Sequence, residues 1–440
     1  MNSKMQWLGV ALFSLWLATV QPAGAQGVTF TTNLYPVGLS PRAVTVADVN
    51  GDGYADLISA NSDAKTLTVL TNNGSGGFGL YATVPGVTNP VFVAAASLNG
   101  SGKPALISAN GTNGTLTVLT NNGTGGFGSI ANLYVYGNPY AVAVINVNGS
   151  PELICANNIG ELIIFSYTPT GGFTNNSDVG LGVGAAPEYL LAADVNGDGS
   201  ADLITVNNGY NSLTVLTNNG SGVFTTASTS QLAPNASPVW VVALDLYGTG
   251  KVALVSANSG NNTLTILTNG GFGQFGSNAT INLPSTPTSL ATADFNGDGK
   301  PDLAVAEQNN SILVLTNNGA GGFGFNTVTN FLVPQLSLVS MPINNSGLYD
   351  LITANYTANE LTVLTQNGVG RPLLKLTHPA LNSFVLTWVS PSTHFILQTN
   401  NNLATTNWLP ANLPVTTASG TNQSTLSPAP PGKLFFRLEQ

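Results

Sequence analysis

Seven tandem repeats of about 49 residues constrain this chain more than any other feature. Asp48, Ser97, Asn146, Asp194, Asp245, Asp294 and Pro342 open equivalent segments, at spacings of 49, 49, 48, 51, 49 and 48. Such a period signals one small supersecondary unit used repeatedly, with the core buried between neighbours. Each unit reads alike. An apolar strand at 43–47 leads into a polar loop at 48–53, and a second strand comes at 56–60. A third strand at 67–71 returns almost verbatim at 116–120, 213–217 and 361–365. Asn72-Asn73-Gly74 then suits a tight hairpin with positive φ. Gly77-Phe78-Gly79 opens a fourth, more variable strand, with Phe127, Phe173, Phe224, Phe272 and Phe323 in the same place.

Four short strands in each ~40–50 residues describe a propeller blade. The sequence therefore predicts an all-β fold, a seven-bladed β-propeller of four-stranded blades over residues 26–371. A linear β-solenoid has the same kind of period, but the chain ends favour a closed ring. The last repeat stops at Gly368-Val369-Gly370 without its Phe-containing strand. Residues 30–35, Phe-Thr-Thr-Asn-Leu-Tyr, match the fourth strand at 127–134 and supply the missing piece. Closure leaves no open sheet edge. Residues 372–440 break the period and hold both histidines, His378 and His394. Strands expected at 384–388, 395–398 and 434–438 predict a small β-sandwich-like module, resembling one that often ends secreted bacterial proteins.

Only 7% of residues are charged while 43% are hydrophobic. A soluble chain combines these values when its sheets are covered on both faces. The formal charge is −9 with ten Lys and Arg, too few for the basic stripe that nucleic acid requires. An anionic membrane surface would repel the chain for the same reason. Cys155 takes the small-residue slot of Ser59, Ser108, Thr205, Ser256 and Thr353, so it reads as a buried small residue. Lys4, an apolar stretch at 7–20 and Ala23-Gly24-Ala25 predict a signal peptide over residues 1–25. The mature protein is expected outside the cell as a monomer, with no later membrane span.

Three of the polar loops share one pattern. They are Asp48-x-Asn50-x-Asp52-Gly53-x-x-Asp56, Asp194-x-Asn196-x-Asp198-Gly199-x-x-Asp202 and Asp294-x-Asn296-x-Asp298-Gly299-x-x-Asp302. Calcium takes six to eight oxygens, and alternate positions of a tight loop point their side chains inward together. Tyr54, Ser200 and Lys300, at position seven, would offer backbone carbonyls. Asx turns would use the same residue types. However, nine of the chain's 19 acidic residues fall in these windows, and gathering carboxylates is costly without a cation. About three structural Ca²⁺ sites are expected. The other four loops have too few carboxylates for a cation: Ser97 to Ala105, the shortened Asn146 to Ser150, Asp245 to Ala253, and Asn344, Ser346 and Asp350.

This loop together with Gly-Gly-Phe-Gly resembles the FG-GAP/VCBS repeat, also seen in the N-terminal propeller of integrin α chains, over roughly residues 28–371. The resemblance implies a propeller scaffold, one that carries adhesion, lectin-like and occasionally lyase activities.

A proline precedes the first strand of every repeat: Pro41, Pro90, Pro139, Pro187, Pro238, Pro287 and Pro334. The residues behind these prolines vary: Arg42, Phe92, Tyr140, Glu188 with Tyr189, Trp240, Thr288 and Gln335. These segments, and Asn-rich loops between second and third strands, lie opposite the Asp loops. A rigid frame with variable loops at one face is where binding evolves. Arg42, Phe92, Tyr140, Glu188, Tyr189 and Trp240 are thus the expected ligand-binding residues, with packing between blades as the competing role for the aromatics. The expected function is non-catalytic binding or adhesion to an extracellular polysaccharide or matrix protein. The alternatives are a structural surface protein, or a polysaccharide-degrading enzyme. An enzyme would need paired acids, and Glu188 with Glu307 is the pair to inspect.

Overall fold

A computed structural model describes residues 28–98, 102–168, 172–331, 334–344 and 346–367, together with C-terminal segments between 375 and 439. The predicted signal peptide, Asn99, Ser101, Gly368 to Gly370 and His394 lie outside the described residues.

The repeats form seven four-stranded antiparallel sheets. Blade one runs Pro41–Ala47, Asp56–Asn61, Thr66–Asn72 and Phe78–Val84 from the axis outward. Blades two to six keep the same order over residues 90–134, 139–180, 187–231, 238–282 and 287–330. The inner strand of each blade packs on the next. That of blade seven, Gln335–Met341, packs on Pro41–Ala47 and closes the ring. Blade seven takes its outer strand from the N-terminus: Thr29–Pro36 pairs antiparallel with Glu360–Asn367, Thr29 opposite Asn367. The expected closed ring is what forms.

Second strands are buried along their whole length in every regular blade, because a neighbouring blade covers each face. Ala43, Val49, Ile58 and Val69 of blade one pack with Val93, Leu106 and Leu119 of blade two. The opposite face, with Val44, Leu57 and Leu70, packs on Ile343, Ile352 and Val363 of blade seven. At roughly 1.5–3 kcal/mol for each large aliphatic side chain removed from water, these inter-blade layers dominate stability. They also explain how so apolar a chain buries its strands.

Inside each blade an asparagine ends the second strand and organises a polar knot. Asn61 Oδ1 accepts a hydrogen bond from Ser59, and its amide donates to Thr68 Oγ1 at 2.9 Å. Asn110, Asn207 and Asn258 repeat this with their own Ser or Thr partners. Blade three departs: Cys155 replaces the hydroxyl, and Asn157 turns to the carbonyls of Val135 and Tyr136. Cys155 is fully buried, and desolvation drives its thiol pKa up, as expected of an inert packing residue.

The Asn-Asn-Gly segment turns with Gly74 at a positive φ of +77°, as expected, but the hairpin is longer than a tight one. Asn73 N–H donates to the Gly77 carbonyl, while Asn73 Oδ1 caps the amides of Ser75 and Gly77, giving a longer loop. Asn72 does something the repeat pattern alone does not reveal. Its side-chain amide donates to the Ile343 carbonyl of the preceding blade at 2.7 Å. Asn121 reaches Val49, Asn269 reaches Val195, Asn317 reaches Leu246 and Gln366 reaches Phe295 in the same way. Five staples thus tie blades one, two, five, six and seven to the polar loop of the blade before them in the ring. Asn317→Ala removes a buried staple and orphans the Leu246 carbonyl. It is expected to lower stability by about 2 kcal/mol, read as a shift in the urea midpoint.

Phe272 corrects a second expectation. It is 87% exposed, at φ +52° in the hairpin turn. Phe275 pairs with Asn269 as Phe78 pairs with Asn72, so Phe275 holds the repeat's aromatic place. Phe275 follows Asn269 by six positions, as Phe78 follows Asn72, so the spacing is kept and Phe272 is an additional aromatic at the turn.

The propeller, Gln26–Asn344 with Tyr349–Gly368, is one compact unit. The C-terminal strands belong to another. Lys375–Ala380, Ser383–Val389, Thr421–Leu426 and Thr416–Ala418 form one sheet, and Leu409–Pro410, Ile396–Asn400 and Phe435–Glu439 a second. His378 lies in the strand Lys375–Ala380. Among the described residues no helix is long and apolar enough to cross a membrane.

Candidate functional site

The prolines open the inner strands, and a β-bulge comes directly after each. Register slips between Pro41 and Ala43, Pro90 and Phe92, Pro139 and Ala141, Pro187 and Tyr189, Pro238 and Trp240, and Pro287 and Ser289. A bulge leaves one residue unpaired and re-aims side chains. Here it directs the residue after proline, or the next one, into a funnel around the axis. Blade seven has Gln335 in the first strand position, fully buried, and its register slips before Leu338.

All six predicted ligand residues line this funnel, a cavity of about 470 Å³ shared with Thr288 and Gln308. Its wall is lopsided. Blades two to five contribute Phe92, Tyr140, Tyr189 and Trp240, while blades six and seven contribute Thr288 and Ser337. Tyr189 stacks on Trp240 with centroids 3.9 Å apart, and Phe92 meets Tyr189 edge-on at 6.1 Å. Phe92, Tyr189 and Trp240 also line the deeper axial cavity of about 290 Å³, so they separate mouth from channel. Packing and exposure are therefore not alternatives for these three, which are half-buried. Burial pushes the Tyr189 phenol up to about 12, while Tyr140 stands open at the rim.

Two charges line the mouth. Arg42 lies over the Tyr356 ring at 5.2 Å, and its Nε donates to Ser62. Glu188 reaches solvent, yet the surrounding wall desolvates its carboxyl and raises it above the usual carboxylate range. Glu307 is not its partner. It is fully buried in the slot held by asparagine in the other blades, accepting bonds from Ser285 N–H and Ser311 Oγ. Glu188 is the single carboxylate among the described residues of the funnel lining.

The Asp loops sit at the opposite end of the blades. Asp48 accepts Gly51 N–H on one oxygen and Gly53 N–H on the other. Asp194 and Asp294 hold equivalent amides. Asn50, Asn196 and Asn296 each accept the amide of Asp52, Asp198 and Asp298. Asp52, Asp198 and Asp298 in turn cap Tyr54, Ser200 and Lys300. Lys300 Nζ also stands 3.7 Å from Asp298. Asp245, in a loop lacking the other carboxylates, caps Thr249 and Gly250 in the same manner. The first Asp therefore has an Asx-turn duty of its own.

The last Asp has one too. Asp56 accepts Val49 N–H and Asn72 N–H, both at 2.8 Å, and Asp202 and Asp302 repeat the bridge. Asp350 does likewise in a loop without the pattern. Desolvation raises Asp56, Asp202, Asp294 and Asp302, Asp302 to about 7, with the neighbouring carboxylates adding to the rise. Among the described residues no three Asp, Glu, His or Cys side chains gather as a metal cluster. The donor set nonetheless suits a hard cation. An ionised carboxylate has about four lone-pair sites, so oxygens that accept one amide retain capacity.

Asp350 sets a pH dependence free of any metal. Burial raises it from 3.8 to about 6. Stability present below pH 4 is therefore lost as pH rises through 6. At ~1.4 kcal/mol per tenfold change in proton affinity, Asp350 alone accounts for about 3 kcal/mol. Urea midpoints in chelator should fall from pH 4 to pH 7, and Asp350→Asn should flatten that slope.

The FG-GAP-like repeat model matches residues 48–107, 145–205, 194–252, 245–305 and 294–337, more than half the chain. The chain belongs to the FG-GAP-like repeat family. No curated protein sequence matches it. Solved structures similar to this FG-GAP propeller include BBS1N, crystallised in complex with ARL6DN. That protein is 16% identical with a TM-score of 0.57, covering 78% of this chain and 98% of its own. A Lactobacillus plantarum protein is 14% identical with a TM-score of 0.55, over 68% and 88%. Saccharomyces cerevisiae Sqt1 is 11% identical with a TM-score of 0.52, over 83% and 96%. At these identities the likeness carries the fold alone.

Proposed function

We propose that this FG-GAP propeller is a secreted, non-catalytic binding protein that recognises an extracellular glycan or protein at its axial funnel. One observation carries the reading: six side chains, four aromatic and two of opposite charge, contributed by five blades, converge on one open cavity. The cavity falls within the ~300–1,000 Å³ typical of ligand sites. It joins an aromatic wall to hydroxyl and amide groups, with one carboxylate and one guanidinium. Acid–base hydrolysis of a glycoside needs two carboxylates, and Glu307 is engaged elsewhere. Calcium in the three Asp loops would be structural. Asp48, Asn50, Asp52, the Tyr54 carbonyl and Asp56 would hold it in blade one, with the matching residues in blades four and six. Each loop contains a buried inter-blade residue, Val49, Val195 or Phe295, so a cation there would stiffen the ring rather than touch the ligand.

The test is binding of the chain from Gln26 to polysaccharide and matrix-protein arrays, in calcium and in chelator. Saturable hits are expected, weakened but not abolished by chelator. A blank array from folded protein would overturn the reading in favour of a purely structural surface role.

A further inference from the structure

We propose that the funnel face of blades three and four docks a polypeptide segment bearing both apolar and basic side chains. This rests on the binding reading and names the partner.

A ridge of apolar side chains crosses that face: Tyr134, Tyr136, Ile159, Val183 and Tyr210, all exposed, Val183 at 94%. Their contacts make it continuous. Tyr134 meets Tyr136 edge-on at 4.9 Å. A Cβ at Gly137 would stand 3.2 Å from Ile159 Cγ2, and the loop at Gly160 closes on the Gly182 carbonyl. Tyr210 then donates to the Val183 carbonyl at 2.7 Å. The segment from Tyr136 to Tyr140 joins this ridge to the funnel rim. Contiguous exposed apolar surface of this kind marks an interaction site. The matching linkers of blades five and six read Ala233-Pro234-Asn235 and Pro284-Ser285-Thr286, and that of blade one exposes a single apolar side chain, Leu39, so the run of neighbouring apolar tips belongs to blades three and four.

Charge identifies the partner. Between Lys103 and Lys251 the sequence contains no lysine or arginine. The acids on this face are Glu161, at the start of a third strand, and Glu188 on the rim. Glu188 has no hydrogen bond or ion pair among the described residues. Glu161 accepts a bond from the Asn157 side-chain amide but faces no cation among the described residues, and a sector with carboxylates and no lysine or arginine beside apolar tips is complementary to a basic, apolar chain. Ile159 and Val183 have neither the flat ring nor the polar groups that a sugar uses, whereas aliphatic side chains of a peptide match them.

Fluorescence anisotropy with labelled (Lys-Leu)₆, (Glu-Leu)₆ and (Lys-Ser)₆ peptides tests this on the chain from Gln26. (Lys-Leu)₆ is expected to bind at least tenfold more tightly than either control. Val183→Lys should weaken it tenfold or more. Leu80→Lys, the same charge change at an exposed site on the outer strand of blade one, should leave it within twofold. Equal binding of (Glu-Leu)₆, or equal losses in the two variants, would overturn the proposal and leave only diffuse attraction. Displacement of (Lys-Leu)₆ by a neutral β-glucan would overturn it in favour of a glycan. Trp240→Ala run in parallel reports on the funnel alone, because Val183→Lys does not touch the funnel lining.

Discussion

Deleting residues 28–36 is expected to leave the chain unable to remain a stable monomer. The segment supplies the outer strand of blade seven and more. Val28 is buried with residues of blades six and seven, and its amide donates to Asn326. Phe30 packs on the same cluster, and Tyr35 meets Phe78 of blade one edge-on at 5.4 Å. Full burial of Val28 at roughly 1.5–3 kcal/mol, with smaller shares from the half-buried Phe30 and Tyr35, is a sizeable part of an ordinary domain's stability of about 5–15 kcal/mol. The strand Glu360–Asn367 would also become an open edge, a template for pairing between copies. Gel filtration should show association, and a synthetic 28–36 peptide added in trans should restore the monomer. A truncated chain that runs as a monomer with unchanged melting would contradict closure by this strand.

Asp302→Ala is the second large effect. The carboxylate is fully buried and accepts the amides of Phe295, Asn296 and Asn317. Leaving these unpaired costs about 1–3 kcal/mol each, so a loss of roughly 4 kcal/mol is expected even in chelator. In saturating calcium the variant should fall further behind the parent, because it also removes a proposed metal oxygen. Equal deficits with and without calcium would remove blade six from the calcium account while leaving the amide bridge intact. The same bridge at Asp350, where no cation is expected, predicts that Asp350→Ala shows only the calcium-independent part.

The repeat made the blades legible because period, strand composition and turn residues all mark the same boundaries. Ring closure was legible because residues 30–35 are a displaced copy of an outer strand. The funnel was legible for a physical reason as well. Proline fixes the start of each inner strand, so the variable residues behind it share one end of every blade. What a repeat pattern cannot show is what reaches across from one blade to the next. Asn72 reads as a turn residue but staples blade one to Ile343, a partner 271 positions away. Asp56 reads as a metal oxygen, while its amide bridge appears only when the end of the third strand is placed beside it. Phe272 and Phe275 differ by three positions, and the spacing from Asn269, which the strand pairing matches, decides for Phe275. Glu307 stands out as an acid until it is aligned with the buried asparagines of its sister repeats. Its place beside Asn61, Asn110 and Asn258 in the repeat exposes a structural duty that is readable from sequence alone.

The most direct test of the central claim compares Trp240→Ala, Tyr140→Ser and Tyr54→Ser with the parent chain, by calorimetric titration of the tightest ligand from the arrays. Trp240 and Tyr140 line the funnel, and Tyr54 lies in an Asp loop at the other end of the blades. The account predicts at least a tenfold loss of affinity for the first two variants and no change for the third. Undiminished binding by Trp240→Ala and Tyr140→Ser, in protein shown to be folded, would contradict the funnel as the binding site.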